Sequence, residues 1–531
     1  MTHRLSFWRV ALSLVSGLAL ALAYPNYNLP LLGWVSVAGL LYACIGASVA
    51  EAALCGFCYD AVYYGVSIPW VATVLQQYGP MPLWLAAGIF ALLVIALSLF
   101  CAAFAGMFAW MARRSLPLAL VAAPFLWVAM ELARMHLPQA TVNFPWDLLG
   151  YTASGSLALV QITAVTGIYG LSWLVVSYNA LLVWALRAPA GNAKRRAAGT
   201  WAIAAVALIG VAIFGGRLVP RAQPTNVAHL VQTNLPQALD YPANWDQIHA
   251  GDVAQLDDIS VRAGNEQPGL LVWPEVPAPF SMEQTAFLLH TQRLALDSHS
   301  DFLFGEVEWK VTSPGRRSPY NSAAMIAPYG DEVFEYDKMH LVPFGEFIPW
   351  RDSLWFARNL TAVVGDFSVG QRHSVGSLAG GKFGVFICYE AIFPEHVRQF
   401  VLNGAGMLLN LSNDGWFGRT AAPAQHLLQA RVRAVENRRW LLRDTNNGYT
   451  VSIDPYGRIV ARMPADVRGV LEAPYAFRTD RTIYTSWGDW FPWLSLVVSG
   501  CFVIAAALCG KSTAEARASG SGRAGKSKKR R

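Results

Sequence analysis

The sequence predicts a polytopic α-helical membrane protein of about eight spans, with an α/β domain inserted between spans seven and eight. Three observations carry that reading. Of the 531 residues, 54% are hydrophobic and only 14% are charged, against about 25% charged in soluble domains. Apolar runs long enough to cross a bilayer fill residues 7 to 219 and return once near the end. Between them, from Asn226, short β-rich runs alternate with polar helix-like stretches.

The predicted spans are Phe7–Tyr24, Leu31–Ala50, Ala53–Leu75, Leu83–Met111, Leu116–Leu132, Leu157–Leu186, Trp201–Val219 and Trp490–Gly510. The first, preceded by Arg4 and Arg9, resembles a signal peptide, but the spans that follow at once favour a retained anchor. The third carries Asp60, two glycines and a proline. Arg113-Arg114 follows span four, Arg187 and Lys194-Arg195-Arg196 follow span six, and a basic tail follows span eight. With both termini in the cytoplasm, every cluster lies inside and the block between spans seven and eight lies outside. In a bacterium this is an inner-membrane, multi-pass protein with a periplasmic domain. Trp34, Trp70, Trp84, Trp146, Trp487, Trp490 and Trp493 fall near span borders, as an interfacial belt would.

The net charge of +7 does not indicate a nucleic-acid partner. The tail from Lys511 to Arg531 holds eight Lys or Arg against one Glu, so the rest of the chain is near neutral. A basic tail after an apolar helix marks the cytoplasmic side. The expected layout is a helical domain over 1–224, a periplasmic domain over 225–483, a final helix over 484–510, and a disordered cytoplasmic tail over 511–531.

Within the block, strands are expected at Val227–Gln232, Gly269–Trp273, Asp301–Val307, Ser322–Ala327, Lys382–Ile387, Gly406–Leu411, Trp440–Arg443 and Tyr449–Ile453. Helices are expected at Trp245–Arg262, Met282–Ser298, Phe393–Leu402 and Pro423–Arg438. Glu275, Cys388 and Asn413-Asp414 each follow a strand, at the sheet edge where α/β folds bind ligands.

Cys388 is the only cysteine of this block. An unpaired thiol in an oxidising compartment is unusual for a structural residue, and the helix start at Pro394 would favour a thiolate. Glu275, between Pro274 and Pro277 in Trp-Pro-Glu-Val-Pro, suits a general base. Lys338, in an apolar and glycine-containing run, reads as a partly buried ammonium with Glu346 as its partner, able to stabilise an oxyanion. Taken singly, Glu275 reads equally as a loop carboxylate and Lys338 as a surface ion pair.

Together, in this order, the three resemble the Glu–Lys–Cys triad of the carbon–nitrogen hydrolase (nitrilase) superfamily, whose fold is an α-β-β-α sandwich. The helical frame, together with Tyr320-Asn321-Ser322, Lys338 to Glu346, Cys388-Tyr389-Glu390, Ser412 to Phe417 and Trp487-Gly488-Asp489-Trp490, resembles the apolipoprotein N-acyltransferase family along nearly the whole chain. The resemblance implies Glu275 as base, Lys338 as oxyanion stabiliser, Cys388 as nucleophile and Glu346 as the residue that positions Lys338. It implies supporting or substrate-binding roles for Tyr389, Glu390, Asn321, Trp416 and Tyr241, with the Tyr389 amide completing the oxyanion site. The implied reaction moves an acyl chain from a phospholipid donor to the α-amino group of a diacylglyceryl-cysteine on an apolipoprotein acceptor, through a cysteine thioester. A monomer embedded in membrane lipid is expected, with neither cofactor nor metal. The alternative is a membrane-tethered amidase or nitrilase. The chain departs from the family at Gln237-Ala238-Leu239-Asp240-Tyr241, where Tyr241 stands in the place of a tryptophan and Asp240 in that of a lysine; Trp245 lies one turn on and could compensate.

Other features read as structural. Cys55 and Cys58 form C-x-x-C inside an apolar span, without a second ligand pair. The ten histidines show no metal-binding signature. His340 and His396 leave a Cys–His pairing open as a rival to the triad. Asp60 and Glu131 are costly in a membrane and find no evident partner in the sequence. Leu354–Val369 and Trp416-Phe417 are candidates to line an entrance for lipid.

Overall fold

The computed structural model describes residues 6–77, 81–137, 144–238, 241–313, 315–349 and 367–527. The N-terminal part is helical: α1 (Phe7–Leu22), α2 (Gly33–Cys44), α3 (Val49–Ser67), α4 (Trp70–Gln77), α5 (Leu83–Ala112), α6 (Leu116–His136), α7 (Thr163–Thr166), α8 (Tyr169–Arg187) and α9 (Asn192–Phe214). Among the described residues, five helices are long and apolar enough to cross a membrane: Leu83–Ala112, Leu116–His136, Tyr169–Arg187, Asn192–Arg217 and Trp490–Cys509. Phe7–Leu22 and Pro30–Cys44 are shorter apolar helices.

Two predicted spans are divided. The third breaks at Ile68-Pro69, between α3 and α4, because proline supplies no amide and restricts the residue before it. The sixth begins as a short 3₁₀ turn and α7, ended by Gly167 at φ +64°, and only α8 is a full helix. A Cβ at Gly167 would lie 2.7 Å from the Tyr484 ring.

The α/β part starts at β1 (Asn226–Gln232) and continues through α10 (Trp245–Ile248), α11 (Ala250–Glu266), β2 (Leu270–Val272), α12 (Thr285–Asp297), β3 (Asp301–Ser313), β4 (Arg316–Ile326) and β5 (Glu332–Asp337). Then come β6 (Val375–Leu378), β7 (Gly381–Ile387), α13 (Pro394–Leu402), β8 (Met407–Ser412), α14 (Ala422–Asn437), β9 (Leu441–Thr445), β10 (Val451–Ile453), β11 (Ile459–Arg462) and β12 (Gly469–Tyr475). The short α15 (Ile483–Trp487) leads into α16 (Trp490–Ser527). One sheet runs β12-β1-β2-β3-β4-β5 and the other β11-β10-β9-β8-β7-β6. Strands β1, β2 and β3 are mutually parallel, as are β7, β8 and β9. The last strand returns beside the first, antiparallel, with Asn226 opposite Tyr475.

Alternation along the strands sorts the side chains into layers. Leu230, Leu270, Val272, Leu303, Ala323 and Met325 turn toward Phe383, Val385, Leu409 and Leu442 of the second sheet. Val231, Leu271, Phe302 and Phe304 turn the other way, onto Leu256 of α11 and Phe287 and Leu294 of α12. On the far side, α13 and α14 cover the second sheet through Val397, Phe400, Ala430 and Ala434. The order is thus helix, sheet, sheet, helix. The other face of α14 (Ala422, Val432, Val435), with Tyr389, Ile392 and Phe393, belongs to one continuous apolar cluster with the N-terminal helices. The α/β layers are seated on the helical bundle.

Candidate active site

Three strands deliver the predicted residues to one place. Glu275 follows β2, Lys338 follows β5 directly, and Cys388 follows β7 directly. Each is at least 95% buried. Lys338 Nζ donates to Glu275 Oε1 and to Glu346 Oε1, both at 2.9 Å. Asn321 spans the same two carboxylates, its Nδ2 donating to Glu275 Oε1 at 2.8 Å and to Glu346 Oε1 at 2.7 Å. The second Glu275 oxygen accepts the Asn413 amide at 2.9 Å, and the second Glu346 oxygen accepts the Val342 amide at 2.8 Å. A fully buried ammonium needs such partners. Burial works against its charge, but Glu275 and Glu346 hold its pKa well above the ordinary value.

Close packing makes this cluster possible. Residue 305 of β3 passes directly beneath the Pro274–Val276 turn and is glycine; a Cβ there would lie 2.7 Å from Glu275 Cα, from the Pro274 oxygen and from the Val276 nitrogen.

Cys388 opens a 3₁₀ turn, Cys388–Ile392, with φ at +46°. This left-handed conformation is uncommon outside glycine and is costly to hold. The expected thiolate is not what the site favours. Burial pushes the thiol up and the Glu275 carboxylate adds to this, while Lys338 opposes both; the balance lies far above the ordinary value. The thiol is therefore protonated until a base removes its proton.

Glu390 ties the Cys388 and Lys338 segments together. One oxygen accepts the Ile387 amide at 2.6 Å, and the other accepts the Met339 amide at 2.7 Å, the His340 amide at 3.1 Å and the Tyr336 hydroxyl at 2.8 Å. Burial raises this carboxyl, but His396, His340 and the Ile387 amide outweigh it and hold it at about 2. His396 Nε2 lies 3.3 Å from Glu390, and the His340 ring stacks on Phe393 at 4.2 Å. Both histidines are thus engaged around Glu390.

Other predicted residues fall nearby or apart. Trp416 sits in the 3₁₀ turn Asp414–Phe417 beyond β8. Its neighbour Phe417 packs on Trp70 and Trp146. Tyr241 meets Trp245 edge-on at 6.1 Å. Trp245 is buried among Phe280 and His249, so it is a core residue and not a lipid-facing substitute. Leu239 and Asp240, and all but the last three residues of Leu354–Val369, lie outside the described residues. Trp70 and Trp146 depart from the interfacial belt: they are 6% and 0% exposed, closed beneath the α/β layers, whereas Trp84 and Trp487 are exposed.

Sequence reasoning did not single out Gln425, His426 or Arg443. Arg443 Nη2 donates to both oxygens of Asp414, at 2.8 and 2.9 Å. Burial alone would raise Asp414, but Arg443 and His426 keep it well below the usual carboxylate range. In the sequence the Gln-His pair does not stand out, because the same helix also carries Gln429, Arg431, Arg433 and Glu436.

A family model described as the apolipoprotein N-acyltransferase N-terminal domain matches residues 16–181, and a carbon-nitrogen hydrolase model matches residues 231–479. An apolipoprotein N-acyltransferase from Geobacter metallireducens is 33% identical over 504 residues, covering 93% of this chain and 94% of that protein. The chain belongs to the apolipoprotein N-acyltransferase family. Relatives with the same description include one from Methylococcus capsulatus, 32% identical over 92% of this chain and 95% of its own, and one from Rhodopseudomonas palustris, 37% identical over 68% of each. Among solved structures, an amidase from Nesterenkonia sp. is 22% identical, covering 48% of this chain and 93% of its own at a TM-score of 0.35. Nit3 of Saccharomyces cerevisiae is 20% identical over 47% and 89%, at the same TM-score. The chain is thus a membrane protein and an enzyme of the carbon-nitrogen hydrolase superfamily, with a helical N-terminal region and a nitrilase-like α/β domain.

Proposed function

We propose that this protein transfers an acyl chain from a membrane phospholipid to the α-amino group of a diacylated lipoprotein, with Cys388 as nucleophile, Glu275 as general base and Lys338 as oxyanion stabiliser. The observation that carries the reading is the convergence of Lys338 on Glu275 and Glu346 beside a buried Cys388, on the face that meets the helical bundle. Because the resting thiol is protonated, proton removal accompanies attack. Cys388 Sγ bonds to the ester carbonyl carbon while Glu275 takes the thiol proton. The carbonyl oxygen becomes an oxyanion, facing the Lys338 ammonium and the Tyr389 amide. Collapse breaks the ester C–O bond. Glu275 returns the proton to the departing lysophospholipid oxygen, and a thioester remains. The lipoprotein amine then attacks that carbonyl and Glu275 accepts its proton. The C–S bond breaks as Glu275 hands that proton to Sγ, leaving an amide and a restored thiol.

Glu346 and Asn321 position Lys338 and Glu275, and Glu390 locks the lysine segment to the cysteine turn. Trp416 and Tyr241 belong to the surroundings through which lipid approaches. The domain over residues 225–483 lies on the periplasmic side of a bacterial inner membrane, with both termini cytoplasmic and the protein monomeric. The arginine clusters after spans four and six support this orientation.

The test is an incubation of purified protein with phospholipid and a diacylated lipopeptide, followed by mass spectrometry. The expected products are an acylated Cys388 and an N-acylated peptide. Free fatty acid without N-acylated peptide would overturn the reading in favour of a hydrolase.

A further inference from the structure

The Gln425 side chain is fully buried at the start of α14. Its Oε1 accepts the indole N–H of Trp70 at 3.0 Å and that of Trp146 at 2.8 Å. Its Nε2 donates to the carbonyls of Pro25 at 2.9 Å and Ser67 at 2.8 Å. Two donors and two acceptors satisfy the whole amide, and their chemistry fixes its orientation: indoles only donate and carbonyls only accept. The partners come from four separate places in the helical bundle: the turn after α1, the end of α3, the start of α4 and the segment leading from α6 to α7. That last segment is itself pinned. Tyr63 donates to the Asp147 carbonyl at 2.8 Å, Tyr24 to the Leu148 carbonyl at 2.8 Å, and the Leu149 amide donates to Glu131 at 3.0 Å.

The next residue faces the catalytic turn. His426 Nε2 donates to the Cys388 carbonyl at 2.9 Å. Its Nδ1 accepts from Arg443 Nη2 at 3.1 Å. The ring packs against Trp146, tilted at 5.7 Å, and meets Phe417 edge-on at 5.9 Å. Trp146 therefore holds Gln425 through its N–H and His426 through its face.

We infer that Gln425 and His426 are positioning residues through which the seated helical bundle fixes the backbone of the nucleophile. The carbonyl that His426 grips belongs to Cys388, held at φ +46°, so releasing it lets the turn relax and swings Sγ away from Glu275 and Lys338. Gln425 touches nothing on Cys388. Its effect passes through the helix backbone it shares with His426 and through Trp146. The inference rests on the assignment of Cys388 as nucleophile.

Full-length protein in detergent tests it with His426→Leu, His426→Gln, Gln425→Leu and Gln425→Glu. Three readouts are taken: the single-turnover rate of Cys388 acylation at several phospholipid concentrations, the rate of Cys388 alkylation by iodoacetamide, and the thermal midpoint. His426→Leu and Gln425→Leu are expected to slow acylation about 10- to 100-fold at saturating donor, with half-saturation unchanged, and to alter alkylation in parallel. His426→Gln, which keeps an N–H able to reach the Cys388 carbonyl, is expected to recover much of the loss. Gln425→Glu, which keeps both indole bonds, is expected to fall between wild type and Gln425→Leu. If the folded fraction of the leucine variants acylates within twofold of wild type, or if only half-saturation changes, the inference is overturned; should either leucine variant fail to fold, a rate within twofold of wild type in Gln425→Glu overturns it equally. Absence of acylation in wild type would instead remove the assignment of Cys388.

Discussion

Lys338 Nζ stands 2.9 Å from Glu275 Oε1 and 2.9 Å from Glu346 Oε1, so one ammonium is shared by two carboxylates from different segments. Only one of the two need act as a base. The other leaves the site short of excess positive charge while Glu275 is protonated during turnover. Glu346→Gln is expected to slow thioester formation about 10- to 100-fold, the equivalent of about 1.5–3 kcal/mol for a hydrogen bond to a charged group. Single-turnover intact-mass kinetics measure this, and a rate within twofold of wild type would contradict it.

Lys338→Ala removes the ammonium itself. The expected loss is about 10²–10³ in rate, as for other oxyanion donors. Near-normal acylation by the folded variant would exclude Lys338 from transition-state stabilisation.

Cys388→Ala is expected to insert, fold and yield no mass increment after exposure to phospholipid. Its thermal midpoint should stay close to wild type, since the methyl group fits the space of the thiol. Turnover by this variant would refute the nucleophile assignment.

Gly305→Ala is expected to separate β3 from the Pro274–Val276 turn, because the new methyl would lie 2.7 Å from three backbone atoms of that turn. The cost is about 1–3 kcal/mol, in the range of core overpacking, with displacement of Glu275 and loss of acylation. Thermal unfolding and acyl-enzyme yield report the two effects separately.

Glu306, buried on β3, is raised from 4.5 to about 7, chiefly by burial, with the Met282 amide opposing. The folded carboxyl keeps a proton that the unfolded one releases, so its contribution is full below about pH 4.5 and is lost as pH rises through about 7. Glu306→Gln should flatten the fall of thermal midpoint across that window. A slope equal to wild type would show that another group is responsible.

The sequence disclosed the interior of each sheet and missed every border. The four strands not anticipated are β5, β6, β11 and β12, which are the four edges of the two sheets. Edge strands carry charges, glycine and proline, as in Glu-Val-Phe-Glu-Tyr-Asp of β5 and Gly-Val-Leu-Glu-Ala-Pro-Tyr of β12, so their apolar pattern is diluted. Missing β5 had a consequence for Lys338, whose place at a strand end was hidden; its role was read only from its surroundings and the family pattern. Glu275 and Cys388 were legible because they follow interior strands whose last residues are apolar, Leu-Leu-Val and Val-Phe-Ile. Trp70 and Trp146 were misread because a tryptophan at a span border looks the same whether lipid or a seated domain covers it; only the partner atom, Gln425 some 280 residues or more away, distinguishes the two. Glu131 acquired partners only in three dimensions, in Trp127 and the Leu149 amide.

The side-by-side pairing of β1 with β12 means that the polypeptide enters and leaves the sandwich through a single doorway. Such a module can be inserted into the chain or cut from it as one continuous stretch, without rethreading the bundle.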